Sequence, residues 1–185
     1  MKNQKLQKNI SAIQSVLLNK AYIALGTNIG NWKNNFNQSF QLITKIGLIK
    51  KFSSFYLSHP YGHKNQNFFY NTAIELETNL APTKLFYALQ LIEKKLQKNK
   101  FFLNGPRRID LDIIFFNKLV LTSSILTIPH KSAHKRDFVL LPLIEISPFF
   151  IHPTKKIPIK KLQKNIKKNY VFKVIRRQQE SLAIY

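Results

Sequence analysis

Two aspartates alternate with apolar residues in the segment GPRRIDLDIIFF, residues 105–116. Side chains of a β-strand alternate between its two faces, so Asp110 and Asp112 would share one face, with their Cα atoms roughly 6.5–7 Å apart. Mg²⁺ prefers oxygen ligands and commonly uses one or two carboxylates together with substrate phosphates. The spacing therefore indicates either a divalent-metal site that binds phosphates or two acids neutralised by the neighbouring Arg107 and Arg108.

Arginine is rare in this lysine-rich chain, and three of its arginines lie at positions 107, 108 and 136. The planar guanidinium binds phosphate oxygens through two parallel hydrogen bonds, which lysine cannot reproduce. The arginines therefore strengthen the phosphate interpretation. Arg108 falls on the same strand face as the acids, so local ion pairing is expected for it.

The elements that would position these residues alternate between strand and helix. Residues 21–28 and 48–57 have the composition of strands, and residues 69–78 and 108–116 alternate as strands do. Helices are predicted over residues 31–46 and from residue 79 or 81 onward. Their apolar stripes are Trp32, Phe36, Phe40 and Ile43 in the first, and Leu85, Leu89, Ile92 and Leu96 in the second.

This order, β-α-β-β-α-β, predicts an α+β fold, a ferredoxin-like sandwich with two helices on one face of an antiparallel sheet. Gly47 lies where a cap for the first helix is expected. Pro129, Pro142, Pro148 and Pro153 predict a looser C-terminal region of loops and short elements. On the third strand, Phe69, Asn71, Ala73 and Glu75 would share a face.

The formal net charge is +22, which allows a nucleic-acid partner. Lysine, asparagine, isoleucine and phenylalanine all have A/T-rich codons, so a biased genome is the alternative explanation of this composition. The chain has no cysteine, which fits a reducing compartment, and no apolar run long enough for a membrane span. We expect a basic N-terminal extension over residues 1–20, one domain over residues 21–153, and a basic, partly helical tail over residues 154–185.

The segment GPRRIDLDI resembles the GPR-x-[IL]-D-L-D-I motif of the 6-hydroxymethyl-7,8-dihydropterin pyrophosphokinases, which are folate-biosynthesis enzymes. Further segments resemble that family in the same order, together spanning residues 21–153: AYIALGTNIG, SSFYLSHPYG, FYNTAIELET, LAPTKLFYALQLIEKKL and IPHKSAHKRDFVLLPLIEISP. The resemblance implies an ATP-dependent diphosphotransferase that moves pyrophosphate from ATP to the pterin and releases AMP. It also implies a cytoplasmic, monomeric enzyme with small-molecule substrates and neither a membrane nor a nucleic-acid partner.

The resemblance also assigns residues to the metal and the nucleotide. Asp110 and Asp112 would hold two Mg²⁺ ions, and Arg107 and Arg136 would contact the triphosphate of ATP, the co-substrate. The further residues that match the family's ATP contacts are Gln90, Glu93, Lys98, Lys100, Ile113, Thr127 and His130. The spacing of four residues between His130 and His134 would also allow the two to bind zinc on a helix, but the adjacent Pro129 disfavours a helix there.

The pterin contacts implied by the resemblance lie on two strands, a loop and a C-terminal segment. Phe69 and Phe138 match the aromatic residues that enclose the flat ring, although two core phenylalanines are the alternative. The amide of Asn71 can donate and accept hydrogen bonds, which suits the pterin edge. Ser58 and the backbone near Tyr61 match the loop that contacts the same edge.

The segment KNKFFLN, residues 98–104, departs from the family pattern, which often has R-x-R-x-x-R-[WY] there. Lys98 and Lys100 keep the positive charge but lose the guanidinium fork, and Leu103 and Asn104 lose a third charge and an aromatic ring. We therefore predict an active enzyme with weakened ATP binding. The competing hypotheses are a basic nucleic-acid-binding module on the same fold and a decayed enzyme retained as a scaffold.

Overall fold

A computed structural model describes residues 18–96 and 105–176 of the chain. The strands are β1 (Asn19–Thr27), β2 (Leu48–Phe52), β3 (Phe55–Ser58), β4 (Phe69–Thr78), β5 (Asp110–Phe116), β6 (Leu121–Thr122), β7 (Thr127–Ile128) and β8 (Val171–Ile175). The helices are α1 (Trp32–Ile43), α2 (Pro82–Leu96), α3 (Asp137–Ile146) and α4 (Ile159–Leu162). In these ranges, no helix is long and apolar enough to cross a membrane.

The central sheet is antiparallel and has the strand order β5-β1-β4-β3-β8, with β2 also paired to β4. The strand predicted over residues 48–57 is therefore two strands, β2 and β3, which pair one after the other with the same edge of β4. The break falls at Ser53 and Ser54, because the Ser54 N–H donates to the Glu145 carboxylate at 3.0 Å. A contact from α3 thus interrupts what the sequence presents as one strand.

Two hydrophobic layers cover the two faces of the sheet. On one face, the predicted stripes of α1 and α2 pack against the inward residues of β1, β4 and β5, which confirms them. On the other face, α3 and α4 pack against Tyr22, Ala73, Ile114 and Phe115. The face that carries the two aspartates is therefore the α3 face, and α3 closes over only part of it.

The α3 helix occupies a region that the sequence predicts as loops and short elements. Pro142 lies inside it and removes one backbone donor, which costs about 3 kcal/mol in a helix interior. Leu140 and Leu143 of the same helix are fully buried, and each buried side chain of this size contributes about 1.5–3 kcal/mol. Burial of the apolar face therefore outweighs the proline, and the region predicted as loops and short elements contains a helix of ten residues.

Phe115 lies on the opposite face from the one that strict alternation predicts. The pairing of β5 with β1 shifts between Tyr22 and Ile23, so that Tyr22 faces Phe115 while Ile23 faces Ile113. This β-bulge inserts one extra residue, which moves Phe115 to the α3 face and places Phe116 in the layer under α1 and α2. Ile109, Leu111 and Ile113 alternate with the aspartates and belong to that layer, as strand alternation predicts.

Gly47 is not the cap of α1, since the helix ends at Ile43 with Thr44 as its cap. An ideal Cβ at Gly47 would lie 2.5 Å from the carbonyl oxygen of Glu77 on β4. The glycine is therefore explained by the close approach of the chain to β4 rather than by the end of the helix.

Residues 154–176, from the segment expected to be a basic tail, add two elements to the fold. Ile159 and Leu162 of α4 are buried beneath α3, and β8 pairs with β3 at the sheet edge. The division into extension, domain and tail itself stays a prediction.

His152 gives the fold a defined pH dependence. It is buried, and burial, with the charges of His134 and Lys155, lowers the pKa of His152 to about 4. The unfolded chain then binds more protons than the folded chain between about pH 6.5 and pH 4, so stability falls on acidification in that window. We expect the free energy of unfolding to drop by about 1–2 kcal/mol from pH 7 to pH 5 from this group. Urea denaturation should show a shallower pH slope in H152Q, and an unchanged slope would contradict this assignment.

Candidate active site

One pocket on the α3 face brings together nine of the residues that the sequence analysis assigned to the site. It lies where the end of β3, the start of β4, the start of β5 and the start of α3 meet. The residues that line it are Ala24, Leu25, Gly26, Ser58, His59, Tyr61, Phe69, Asn71, Arg107, Asp110, Asp112, Arg136, Phe138 and Val139.

The floor of this pocket is formed by small residues of β1. Gly26 pairs with Asn71 on one side and with Asp110 on the other, and Ala24 pairs with Asp112. Two strand spacings therefore separate Asn71 from Asp110, about 10 Å, with only a glycine between them. An ideal Cβ at Gly26 would lie 3.4 Å from Asn71 Oδ1, so the absent side chain leaves the floor open.

Asp110 and Asp112 lie on the pocket side of β5, as alternation predicts. The carboxylate of Asp110 is 3.1 Å from Arg107 Nη1, with the side chains of Asp110 and Arg107 33% and 20% exposed. The ion pair thus comes from Arg107, and Arg108, for which local pairing was predicted, is exposed. An arginine that bridges toward the acids can neutralise part of their repulsion and remain within reach of a phosphate.

Asn28 fixes the backbone of Arg107. The Arg107 N–H donates to Asn28 Oδ1 at 2.8 Å, and the Asn28 N–H donates to the Arg107 carbonyl at 3.1 Å. The Asn28 amide also donates to Gln66 Oε1 at 3.0 Å and to the Asn67 carbonyl at 3.2 Å. The end of β1 therefore ties together the segment before β5 and the loop before β4, both of which border the pocket.

Three buried polar atoms near the pocket have no hydrogen-bond partner: Nε of Arg107, Nε of Arg136 and Nδ1 of His130. Buried donors are ordinarily satisfied, and leaving one unpaired costs about 1–3 kcal/mol. Two guanidinium donors without a partner beside two carboxylates fit a site for a phosphate-bearing ligand accompanied by a cation.

His130 lies beside β5, where its backbone N–H donates to the Ile114 carbonyl at 3.0 Å. Burial lowers the pKa of His130, the Arg136 charge lowers it further, and the Asp110 charge partly offsets both. The imidazole is therefore neutral at pH 7. A neutral ring offers one N–H to an acceptor such as a phosphate oxygen without adding a full charge.

The opposite end of the pocket is a fixed hydrogen-bonding edge. The Asn71 amide nitrogen donates to Ser58 Oγ at 3.0 Å and to the Tyr56 carbonyl at 3.1 Å. Both Asn71 and Ser58 are buried. Since the NH₂ group of Asn71 is used within the protein, its carbonyl oxygen is the group available to accept from a ligand.

Aromatic rings form the remaining walls. Phe69 lies beneath the Arg107 guanidinium, with 5.7 Å from Cζ to the ring centroid, and Tyr61 lies beneath Arg136 at 4.5 Å. Phe138, at the start of α3, has its ring 6.1 Å from that of Tyr61. Phe69 and Phe138 both line the pocket, and Phe138 also packs against the hydrophobic layer under α3.

Arg107 and Arg136, two of the residues predicted to contact ATP, line this pocket, whereas the others that the structure describes lie outside it, on or beside α2, β5 and β7. The Glu93 carboxylate accepts from the Leu111 N–H at 2.6 Å, between the two aspartates in sequence. The Ile113 side chain is buried in the core, so only its backbone could contact a ligand. Gln90 is exposed on α2, and Thr127 is half-buried on β7.

Two further predictions concern the lysines of the 98–104 segment and a zinc pair of His130 and His134. Lys98 and Lys100, with Leu103 and Asn104, lie outside the described residues. Across residues 18–96 and 105–176, no group of three or more His, Cys, Asp or Glu side chains is placed to hold a metal ion. His134 instead lies near the buried His152, with ring centroids 6.2 Å apart, which gives no support to a zinc pair with His130.

Sequence reasoning missed the pocket residues Ala24, Leu25, Gly26, His59 and Val139, and also Asn28, which binds the backbone of Arg107. Small residues at alternate positions of an otherwise bulky strand, as in AYIALGTN, are the feature that could have indicated an open floor. His59 and Val139 carry no such local pattern, because they reach the pocket only through the packing of α3 and the 59–68 loop.

Glu93 is expected to act on the site by holding the edge of β5. E93A should weaken ATP binding about fivefold to tenfold, because one charge-assisted hydrogen bond to the strand that carries both aspartates is lost. E93Q keeps an acceptor oxygen and should lose much less. Steady-state kinetics with ATP varied would measure both, and equal losses in the two variants would contradict this role.

The chain is similar in sequence to one family of enzymes. Residues 22–148 match the model of the 7,8-dihydro-6-hydroxymethylpterin-pyrophosphokinase (HPPK) family. The chain is 33% identical to 2-amino-4-hydroxy-6-hydroxymethyldihydropteridine pyrophosphokinase of Aquifex aeolicus, over 77% of this chain and 89% of that protein. The protein of the same name from Bacillus subtilis is 39% identical, over 69% of this chain and 78% of that protein.

Longer relatives contain a similar segment. The folic acid synthesis protein FOL1 of Dictyostelium discoideum is 38% identical over 89% of this chain, which spans only 24% of that protein's length. The crystal structure of wild-type Plasmodium falciparum HPPK-DHPS has the same fold over 80% of this chain and 44% of that one, with a TM-score of 0.67 and 18% identity. Because the family model covers well over half of the chain, and the chain covers 89% and 78% of two short relatives at 33% and 39% identity, the chain belongs to the HPPK family.

Proposed function

We propose that this protein transfers the pyrophosphoryl group of ATP to 6-hydroxymethyl-7,8-dihydropterin, forming the pterin pyrophosphate and AMP. The observation that carries the proposal is the single pocket that joins Asp110, Asp112, Arg107 and Arg136 to Ser58, Asn71, Phe69 and Phe138. One end of this pocket fits phosphates and a cation, and the other fits a flat, hydrogen-bonding ring. The names of the family and of the short relatives support the same reaction.

Asp110 and Asp112 are the residues that would hold magnesium. Their carboxylates are hard oxygen donors on one strand face, and the unpartnered Nε atoms of Arg107 and Arg136 are close by for the phosphate oxygens. When bound, magnesium would supply positive charge against the phosphates and the attacking oxygen. Each arginine would add a fixed charge that is already in position before the substrate arrives.

The chemical step forms a bond between the hydroxymethyl oxygen of the pterin and the β-phosphorus of ATP. The bond from that phosphorus to the oxygen shared with the α-phosphate breaks, AMP leaves with that oxygen, and the hydroxyl proton passes to solvent. No side chain of the pocket is assigned as a general base. The protein contributes mainly by orienting the two substrates and neutralising charge, as in phosphoryl transfer generally.

On the nucleotide side, Gln90, Glu93, Thr127 and His130 and the backbone of Ile113 would contact ATP along the free edge of β5. The neutral His130 would donate one hydrogen bond to a phosphate. On the pterin side, Phe69 and Phe138 would enclose the ring, while Asn71 Oδ1 accepts from a ring donor. Ser58 and the segment at Tyr61 would complete this edge.

The finer description of the fold is also a proposal. The strand order β5-β1-β4-β3, with α1 and α2 in one layer, supports a ferredoxin-like arrangement in which β2 and β3 together form its second strand. The strand β8 and the α3 layer would be additions to it. A monomeric state, a cytoplasmic location and weakened ATP binding through Lys98 and Lys100 stay predictions.

The test of the function is an AMP-release assay on the purified protein. AMP should form with ATP, magnesium and 6-hydroxymethyl-7,8-dihydropterin, and it should not form when the pterin is left out or the metal is chelated. Absence of AMP in the complete mixture would overturn the proposal. A nucleic-acid-binding module would instead bind oligonucleotides with an affinity that falls steeply as salt is raised.

A further inference from the structure

We propose that Tyr170 is a positioning residue for the flat ring of the pterin, acting through Phe138 and Tyr61. This inference rests on the proposed function, because it concerns the ring-binding end of the same pocket. Tyr170 directly precedes β8 and lies beyond residues 22–148, the part of the chain that matches the family model.

The backbone of Tyr170 is held from two sides of the pocket. Its N–H and that of Val171 donate to Asp137 Oδ2, at 2.6 Å and 2.8 Å, at the first residue of α3. Its carbonyl accepts from the His59 N–H at 2.9 Å, just after β3. The C-terminal segment is therefore bonded to both elements that carry predicted pterin contacts, α3 with Phe138 and β3 with Ser58.

The ring of Tyr170 contacts two rings that line the pocket. Its centroid is 5.8 Å from Phe138, at an interplanar angle of 86°, and 5.5 Å from Tyr61, at 56°. These are the edge-to-face and tilted geometries that aromatic pairs favour, and each pair resists rotation of its partners. Tyr61 lies on the loop between β3 and β4 and is 46% exposed, so its ring orientation depends on such neighbours.

Tyr170 itself is not among the residues that line the pocket. It packs behind Phe138 and beside Tyr61, so it would set the orientation of the wall against which a planar ligand stacks. A leucine at this position would keep the bulk and lose the directional ring contacts. The cost would fall on binding of the pterin, because Asp110, Asp112 and Arg107 lie outside these ring contacts and only Arg136, over the Tyr61 ring, adjoins them.

The test compares Y170L with Y170F and with a matched control, F149L. Both residues have a lysine ammonium over the ring. Lys160 Nζ is 4.1 Å from the ring centroid of Phe149, and Lys168 Nζ is 5.0 Å from that of Tyr170. Phe149 is 69% exposed and is not a pocket residue. F149L therefore removes an aromatic ring that also lies near a lysine, without touching the ring-binding wall.

In steady-state kinetics, Y170L should raise the KM for the pterin about fivefold to tenfold and leave kcat and the KM for ATP within about twofold. Y170F keeps the ring contacts and should match the wild type, as should F149L. Direct titration of the pterin's fluorescence should give the same shift in Kd for Y170L without any turnover.

An unchanged pterin KM and Kd in Y170L would overturn the inference. A fall in kcat together with a rise in the KM values for both the pterin and ATP would overturn it as well. Wild-type protein that neither binds the pterin nor releases AMP would refute the proposed function itself. Normal wild-type activity with normal Y170L kinetics would refute only the role of Tyr170.

Discussion

D112N is expected to lower kcat/KM by at least about 100-fold, which corresponds to about 2.7 kcal/mol of barrier. Asp112 lies on the pocket face of β5 opposite Ala24, at the end of the pocket that carries Arg107. Asparagine keeps the size of the side chain and removes its negative charge, so the strand and the floor should stay intact. The loss would come from weaker binding of the cation that the carboxylates hold.

Asp112 gives a cleaner test than Asp110, because D110N would also break the 3.1 Å ion pair with Arg107. The measurement is AMP formation at increasing magnesium concentration, and D112N should need far more metal to reach any given rate. E77Q is the matched control, since Glu77 lies on β4 away from the pocket and pairs with Lys50 at 3.8 Å. A D112N protein with more than about a tenth of wild-type activity would contradict the metal assignment.

D137A is expected to lower the free energy of unfolding by about 3 kcal/mol. Asp137 is 2% exposed and accepts three backbone N–H groups, from Phe138 at 2.8 Å, Tyr170 at 2.6 Å and Val171 at 2.8 Å. Alanine would leave these donors without their acceptor at the junction of α3 and β8. Chemical denaturation would measure the loss, and D137N, which keeps one acceptor oxygen, should be less destabilised.

Hydrogen exchange adds a local test of the same contact. The amides of Tyr170 and Val171 should exchange faster in D137A. The exchange rates of amides at the centre of β1 should change only as much as the global free energy of unfolding changes. Because Arg136 and Phe138 flank Asp137, the pterin KM should rise as well. A D137A protein less than about 1 kcal/mol destabilised, with both amides still protected, would contradict the role of this carboxylate.

Local patterns in the sequence predicted what depends on a single strand or helix. Strand alternation placed Asp110 and Asp112 on one face and Phe69 and Asn71 on another strand's matching face, and the pocket contains all four. The helix stripe that includes Phe36 was predicted correctly for the same reason. These features follow from the fixed geometry of one backbone segment, so no knowledge of distant partners is needed.

Features that depend on distant partners were missed. The bulge that turns Phe115 to the α3 face arises from the pairing of β5 with β1. The α3 helix tolerates Pro142 because its apolar face finds a place on the sheet. Tyr170 packs behind the pocket wall because its backbone is bound by Asp137, 33 positions earlier in the chain, and by His59. The spacing of residues that are near each other in sequence does not predict any of these contacts.

Transfer of the intact pyrophosphoryl group can be followed most directly with ATP labelled at its β-phosphate. After reaction with 6-hydroxymethyl-7,8-dihydropterin and magnesium, the label should leave the nucleotide entirely and appear in the pterin product, with one AMP formed for each pterin converted. Label retained in ADP would show transfer of a single phosphoryl group and would contradict the proposed function.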